Sequence, residues 1–143
     1  MTPEKLMVPG QTNQWIRTIR PHGVYKLHGM AFIDHRLITI DSVRGYLLEI
    51  DCTNDNTKVL NSEQAEEFID TTGLAISENT LWLTRDESVF FCDNLEDCLE
   101  TQEFKPQHFI TLDYLANGIA VCKSTVYVSC QKTGYILVFN RYN

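Results

Sequence analysis

Gly29, Gly73 and Gly118 stand 44 and 45 residues apart, and each opens the same short phrase: "GMAFI", "GLAIS" and "GIAV". Without a single gap, "GMAFIDHRLITIDSVRGYLLEID" falls on "GIAVCKSTVYVSCQKTGYILVFN". Gly29, Ala31, Gly45, Tyr46 and Leu48 then coincide with Gly118, Ala120, Gly134, Tyr135 and Leu137. A middle copy, "GLAISENTLWLTRDESVFFCD", fits the same frame, with Val89 where the others carry glycine. A period of about 40–50 residues restricts a chain to solenoids, arrays or propellers.

The pattern within a copy narrows the choice. The first run alternates, Met30 and Phe32 on one side with Ala31 between them, and period two over a short run means a strand. A polar turn follows ("DHR", "SEN", "KST"), then a run dense in β-branched and aromatic residues ("LITI", "LWLT", "VYVS"). A second turn ("DSVRG", "RDES", "CQKTG") leads to a third run ("YLLEI", "VFFC", "YILVF"). Gly45 and Gly134 suit a positive φ or a bulge at that last hairpin. Short turns make the strands antiparallel neighbours, so each copy is a meander. No 3.6-residue period is present, and β-helix coils are shorter and more uniform. Gly followed by Ala leaves room where sheets converge on an axis, while Trp82, Phe90 and Tyr127 suit strands further out. The expected fold class is all-β: a β-propeller of about three four-stranded antiparallel blades.

Fourth strands are expected in "TKVLN" (57–61) and "PQHFITLD" (106–113). The chain then divides into a loose arm over 1–13, an outer strand and entry over 14–28, and blades over 29–61, 71–113 and 117–143. The last blade lacks its outer strand, whereas a spare strand-like run, "QWIRTI" (14–19), precedes the first. Three blades are too few to close a ring. Either the chain is a portion of a larger propeller, or it self-associates as a homodimer in which "QWIRTI" completes the partner's third blade; closed two-fold symmetry favours the second. Between the blades, "NSEQAEEFID" (61–70) suggests a helical turn with Asn61 as N-cap and Gln64 at the third position. "DNLEDCLETQEF" (93–104) is acidic and reads as a solvated surface connection.

Composition sets limits on partners. Among 143 residues the net charge is −7, which argues against a nucleic-acid or anionic-membrane binder, since both call for clustered Lys and Arg. No run approaches the length of a membrane span, and the N-terminus shows no basic start followed by an apolar stretch. The five cysteines form no CxxC and suggest neither a disulfide framework nor zinc, so reduced thiols and a cytoplasmic location are expected. Cys122 and Cys130 fall on adjacent strands and are expected to be near each other.

"NGIAVCKSTVYVSCQKTGYILVF" resembles the NHL repeat and its relatives in gluconolactonase-type, six-bladed propellers. Gly118 to Val121, Val126 to Val128 and Ile136 to Phe139 carry the resemblance, which extends over about residues 29–143. It implies the propeller and says little about activity. In gluconolactonase-type proteins an Asn in an Asn-Gly-Leu-Ala-like motif helps bind a divalent metal such as calcium, and Asn117 matches that residue. The other ligands have no counterpart here. The Asp expected after "Val-Tyr-Val" is Cys130 in the last copy, Arg85 in the middle one and Asp41 in the first. The whole chain also resembles the front of bacterial proteins in which a propeller precedes a transglutaminase-like domain.

In a propeller, the residue before each first-strand glycine lies near one mouth of the central channel. His28, Thr72 and Asn117 are therefore the candidate ligand-binding residues. No nucleophile elbow, His pair or Gly-rich phosphate loop appears, so no catalytic residue is assigned. The expected function is a non-catalytic binding or scaffold module that meets a protein partner or its own copy. The competing expectation is a metal-dependent lactone or ester hydrolase using Asn117.

Overall fold

The computed structural model describes residues 16–21, 23 and 26–142. Among these, eleven strands form three separate antiparallel sheets. Sheet 1 runs β1 (Leu27–Ile33), β2 (Arg36–Asp41), β3 (Tyr46–Ile50), β4 (Thr57–Val59) in spatial order. Sheet 2 repeats this with β5 (Thr71–Ser77), β6 (Thr80–Arg85), β7 (Ser88–Cys92), β8 (Gln107–Thr111). Sheet 3 holds β9 (Ala116–Cys122), β10 (Thr125–Cys130) and β11 (Ile136–Asn140). "LITI", "LWLT" and "VYVS" thus each occupy the second strand of a different sheet.

The first hairpin of every sheet closes through two residues, with a left-handed backbone at Asp34, at Glu78 and Asn79, and at Lys123. Gly45 and Gly134, at φ of 73° and 71°, turn the chain into β3 and β11 as their spacing suggested. The opening strands β1, β5 and β9 lie side by side. Their contact is closer than side chains allow: a Cβ on Gly73 would sit 2.9 Å from the Cα of Gly118 and 2.9 Å from Thr84 Oγ1. On Gly29 it would lie 2.6 Å from the Leu74 Cβ.

Because strand residues alternate between faces, each sheet presents one apolar face in either direction. Ile38, Ile40 and Leu47 of sheet 1 bury themselves with Leu74, Leu81 and Leu83 of sheet 2 in one core. The opposite face of sheet 2, led by Trp82 and Val89, builds a second core with Val126 and Val128 of sheet 3. Sheet 2 is shared by both. Arg141 ties sheets 2 and 3 at the rim, donating from Nη2 to Ser77 O (2.9 Å) and from Nη1 to Lys123 O (3.3 Å). The two outermost faces carry apolar side chains without cover: Met30 (67% exposed) and Phe32 (63%) on sheet 1, Ile136 (67%) and Val138 (59%) on sheet 3.

Both connections differ from their expected roles. Asn61 caps no helix. It is buried, accepts from Leu47 N–H (2.8 Å) and donates to Gly45 O (3.1 Å) and Glu63 O (2.6 Å), continuing the ladder beyond the three-residue β4. The only regular turn there is a 3-10 helix over Glu66–Phe68, whose Phe68 enters the core. An unpaired β3 edge inside the protein has a stronger claim on the Asn amide than a solvated helix start. The acidic connection 93–104 forms α1 (Leu95–Thr101), and it is more than a solvated surface: Leu95 and Phe104 are buried in the first core. Asn79 supplies its cap, accepting from Glu96 N–H at 2.9 Å. Over 16–19 the run "QWIRTI" forms no strand, and Arg17 pairs with Asp55 at 3.5 Å; Gln14 and Trp15 lie outside the described residues.

Cys122 and Cys130 are on neighbouring strands but not close, since Cys122 pairs across to Thr125 while Cys130 pairs to Ala116 at the other end of the ladder. Cys92 is buried in the first core, and that burial pushes its thiol up to about 12.

Gly73→Ala should destabilise the protein by about 2–4 kcal/mol, since backbone must move to admit the methyl. Gly134→Ala, with nothing within 4 Å of the added Cβ, should cost only about 1–2 kcal/mol from its left-handed backbone. Urea unfolding of both variants checks the contrast. The Cys92 thiol contributes a pH dependence of known sign. Its folded value lies above the ordinary 9.0, so its stabilisation is whole below pH 9 and fades as pH rises toward 12. Between pH 8 and 10.5 the wild type should lose on the order of 2 kcal/mol more than Cys92→Ala in the same urea titration.

Candidate functional site

The three residues expected at a common mouth sit on the three opening strands, one position before Gly29, Gly73 and Gly118. The sequence makes them equivalent, but the backbone does not. In β5 and β9 the ladder skips Thr72 and Asn117 themselves, whereas in β1 it skips Gly29 and leaves His28 paired with Ile40. A bulge that slips by one residue turns the neighbouring side chain to the other face.

Thr72 is fully engaged. Its Oγ1 lies 2.9 Å from Thr84 Oγ1 and donates to Ala116 O at 3.0 Å, joining sheet 2 to sheet 3. Asn117 is exposed, and its backbone carbonyl is what a Cβ on Gly73 would meet at 3.1 Å. His28 is half-buried on β1. The arrangement therefore brings Thr72 and the backbone of Ala116–Asn117 together, and Thr72 serves as a brace.

A second set of hydroxyls accompanies the opening strands. Thr39 donates to Gly29 O (2.5 Å), Thr84 meets Thr72, and Ser129 accepts from Gly118 N–H (3.0 Å). Each is a small hydroxyl side chain on the second strand, able to approach where a larger residue would collide and to satisfy backbone that a bulge leaves unpaired. The signal was present as the closing Thr or Ser of "LWLT" and "VYVS", but it reads equally well as ordinary strand composition.

The positions aligned with the Asp expected after "Val-Tyr-Val" hold structural groups. Asp41 is fully buried, accepts from Val43 N–H (3.1 Å) and from Arg44 Nε (2.9 Å), and so fixes the turn into β3. Arg85 donates to Glu66 O at 3.0 Å, and Cys130 is buried. Among the described residues no group of three or more His, Cys, Asp or Glu side chains could hold a metal ion. No helix among the described residues is long and apolar enough to cross a membrane.

Two of the concave features among the described residues stand out by their lining. One is an acidic groove between residues 62–67 and 102–106, lined by Glu63, Glu66, Glu67 and Glu103. The other is an aromatic cleft between the rims of sheets 2 and 3, lined by Trp82, Phe91, Phe109, Asp93, Arg141 and Tyr142. Sequence reasoning found neither, because the cleft joins three strands of sheet 2 with the residues that follow β11 and depends on how two sheets meet.

No protein-family model and no curated protein sequence matches the chain. Similar solved structures exist. The computationally designed protein Ika4 superposes with a TM-score of 0.55 at 15% identity, over 80% of this chain and 66% of its own. The designed protein Ika8 gives 0.56 at 14% identity, over 81% of this chain and 33% of its own. The extracellular domain of BT4673 from B. thetaiotaomicron gives 0.58 at 15% identity, over 89% of this chain and 17% of its own. At such identities the likeness concerns the fold alone, and this chain spans less than two thirds of each.

Thr72→Val should destabilise the protein by about 1–2 kcal/mol, because it strips Ala116 O of its donor between two sheets. Asn117→Ala should stay within about 0.5 kcal/mol of wild type, as expected for an exposed side chain with no contact to lose. Thermal and urea unfolding of the pair distinguish a brace from a free side chain.

Proposed function

We propose that the chain is a non-catalytic binding or scaffold module built of three β-propeller blades, and that a second copy completes its ring. The observation that carries this is the equivalence of its end faces to its internal ones. The exposed face of sheet 3, with Ala120, Tyr127 and Ile136, repeats the positions of Ala31, Ile38 and Leu47, by which sheet 1 packs on sheet 2. The exposed face of sheet 1, with Met30 and Phe32, repeats the positions of Leu74 and Ile76, by which sheet 2 receives sheet 1. Each end is thus half of a contact the chain already makes inside itself.

Two copies related by a two-fold axis would satisfy both ends at once, sheet 3 of each against sheet 1 of the other, and would make a ring of six sheets. Burying Met30, Phe32, Tyr127, Ile136 and Val138 contributes about 1.5–3 kcal/mol for each large side chain. Among the described residues sheet 3 has three strands, and β11 pairs only with β10. The order of the chain supports residues 14–19 of the partner as the supplier: β4 and β8 each precede the opening strand of the next sheet, as "QWIRTI" precedes β1. The module has no assigned nucleophile or metal site, and its role is recognition through the rims and loops of the ring.

Light scattering across a concentration series should give twice the chain mass. Phe32→Lys and Val138→Lys should each return the protein to the mass of one chain while leaving its circular dichroism unchanged, and removing residues 1–20 should weaken association by at least about tenfold. A wild-type mass of one chain at every concentration would be the result expected if the ends are instead covered by further sheets of a longer polypeptide, and it would overturn the two-copy ring.

A further inference from the structure

The face of sheet 1 that looks away from sheet 2 is covered over one half only. Alternation along β3 sends Leu47 into the first core and turns Leu48 and Ile50 to the other side. Leu48 and Ile50 are nonetheless buried, at 1% and 5% exposure, although neither core contains them. Met30 and Phe32, on the same face but on β1, stand in the open. Chain therefore lies over β3 and stops short of β1.

Two anchors place the entry segment there. Arg17 Nη2 pairs with Asp55 Oδ1 at 3.5 Å, in the β3–β4 turn beyond Ile50. At the other end of β3, Arg44 Nη2 in the β2–β3 turn donates to Gly23 O, and Ser42 N–H donates to Lys26 O at 2.9 Å. The six steps from Arg17 to Gly23 reach about 20 Å when extended, enough to follow the five residues of β3 from end to end. The described part of the segment joins no sheet. Ile19 and Pro21 are half-buried while Thr18 and Arg20 are exposed, as in an extended strap with one side laid down.

We propose that this strap gates the two-copy ring, the reading on which the inference rests. Leu48 and Ile50 repeat the positions of Phe90 and Cys92, which sheet 2 offers to sheet 1, so the strap occupies ground that sheet 3 of a second copy needs. Its residues 17–19 also belong to the run that adds an outer strand to that same sheet 3. Covering its own sheet and completing the partner's are thus alternative states of one segment. The Arg17 and Asp55 side chains are 43% and 36% exposed, so salt screens the pair that holds the strap down, and ionic strength sets the balance.

The test uses Asp55→Asn in the full chain, since Asn suits the left-handed backbone at this position (φ 63°) and removes the charge. Sedimentation equilibrium and tryptic cleavage after Arg17 are followed at about 0.05 M and 0.5 M salt. In low salt the variant should be cut about two- to fivefold faster than wild type and associate more tightly by a similar factor; at high salt both differences should vanish. Asp55→Glu, which keeps the charge, should behave as wild type. Cleavage at an unchanged rate would overturn the strap. Faster cleavage with unaltered association of a protein that does dimerise would overturn the gate and leave the ring standing. A mass of one chain for both proteins at either salt would overturn the ring, and the gate with it.

Discussion

Backbone against backbone at the meeting of β1, β5 and β9 is the constraint from which the rest follows. Where a Cβ on Gly73 would come within 2.9 Å of Gly118, three sheets share a space too narrow for side chains. The strands diverge from that line, and the widening gaps must be filled by progressively larger groups. Ala31, Ala75, Ala120 and Leu74 stand on the opening strands, and Ile38, Trp82 and Phe91 stand further out. Interior packing tolerates few voids, so this gradient in size fixes how the sheets splay. Bulges in the opening strands and the hydroxyls of Thr39, Thr84 and Ser129 reconcile the close approach with backbone hydrogen bonding.

The repeated architecture was legible because hydrophobic alternation, turn chemistry and the glycine spacing all said the same thing. Each run from "GMAFI" to "YILVF" contributes a strand to its own sheet. Two segments were misread for one reason. Asn61 and the stretch around Leu95 and Phe104 look polar in sequence, yet they are drawn inward by groups remote in sequence: the open β3 edge in one case and the first core in the other. Local composition carries no record of such distant demands.

The candidate site was less legible than the fold. His28, Thr72 and Asn117 align in sequence, but the one-residue difference between the bulges gives them different surroundings. A repeat encodes core pattern strongly, whereas side-chain direction at a bulge depends on which residue the ladder skips. The aromatic cleft was hidden for a related reason, since Trp82 reads as ordinary strand hydrophobicity until the rims of sheets 2 and 3 are seen to meet beside it.

The two cores have no buried residue in common and are joined only through the opposite faces of sheet 2. Within the described residues the sheets therefore stack in a line, sheets 1 and 3 each packing on sheet 2 and sheet 2 on both. Local opening then begins at the flanks, and β6, with Leu81 and Leu83 facing one core and Trp82 the other, is the last segment whose amides would exchange with solvent. Cooperative folding of the whole therefore rests on the thinnest possible bridge, one sheet thick.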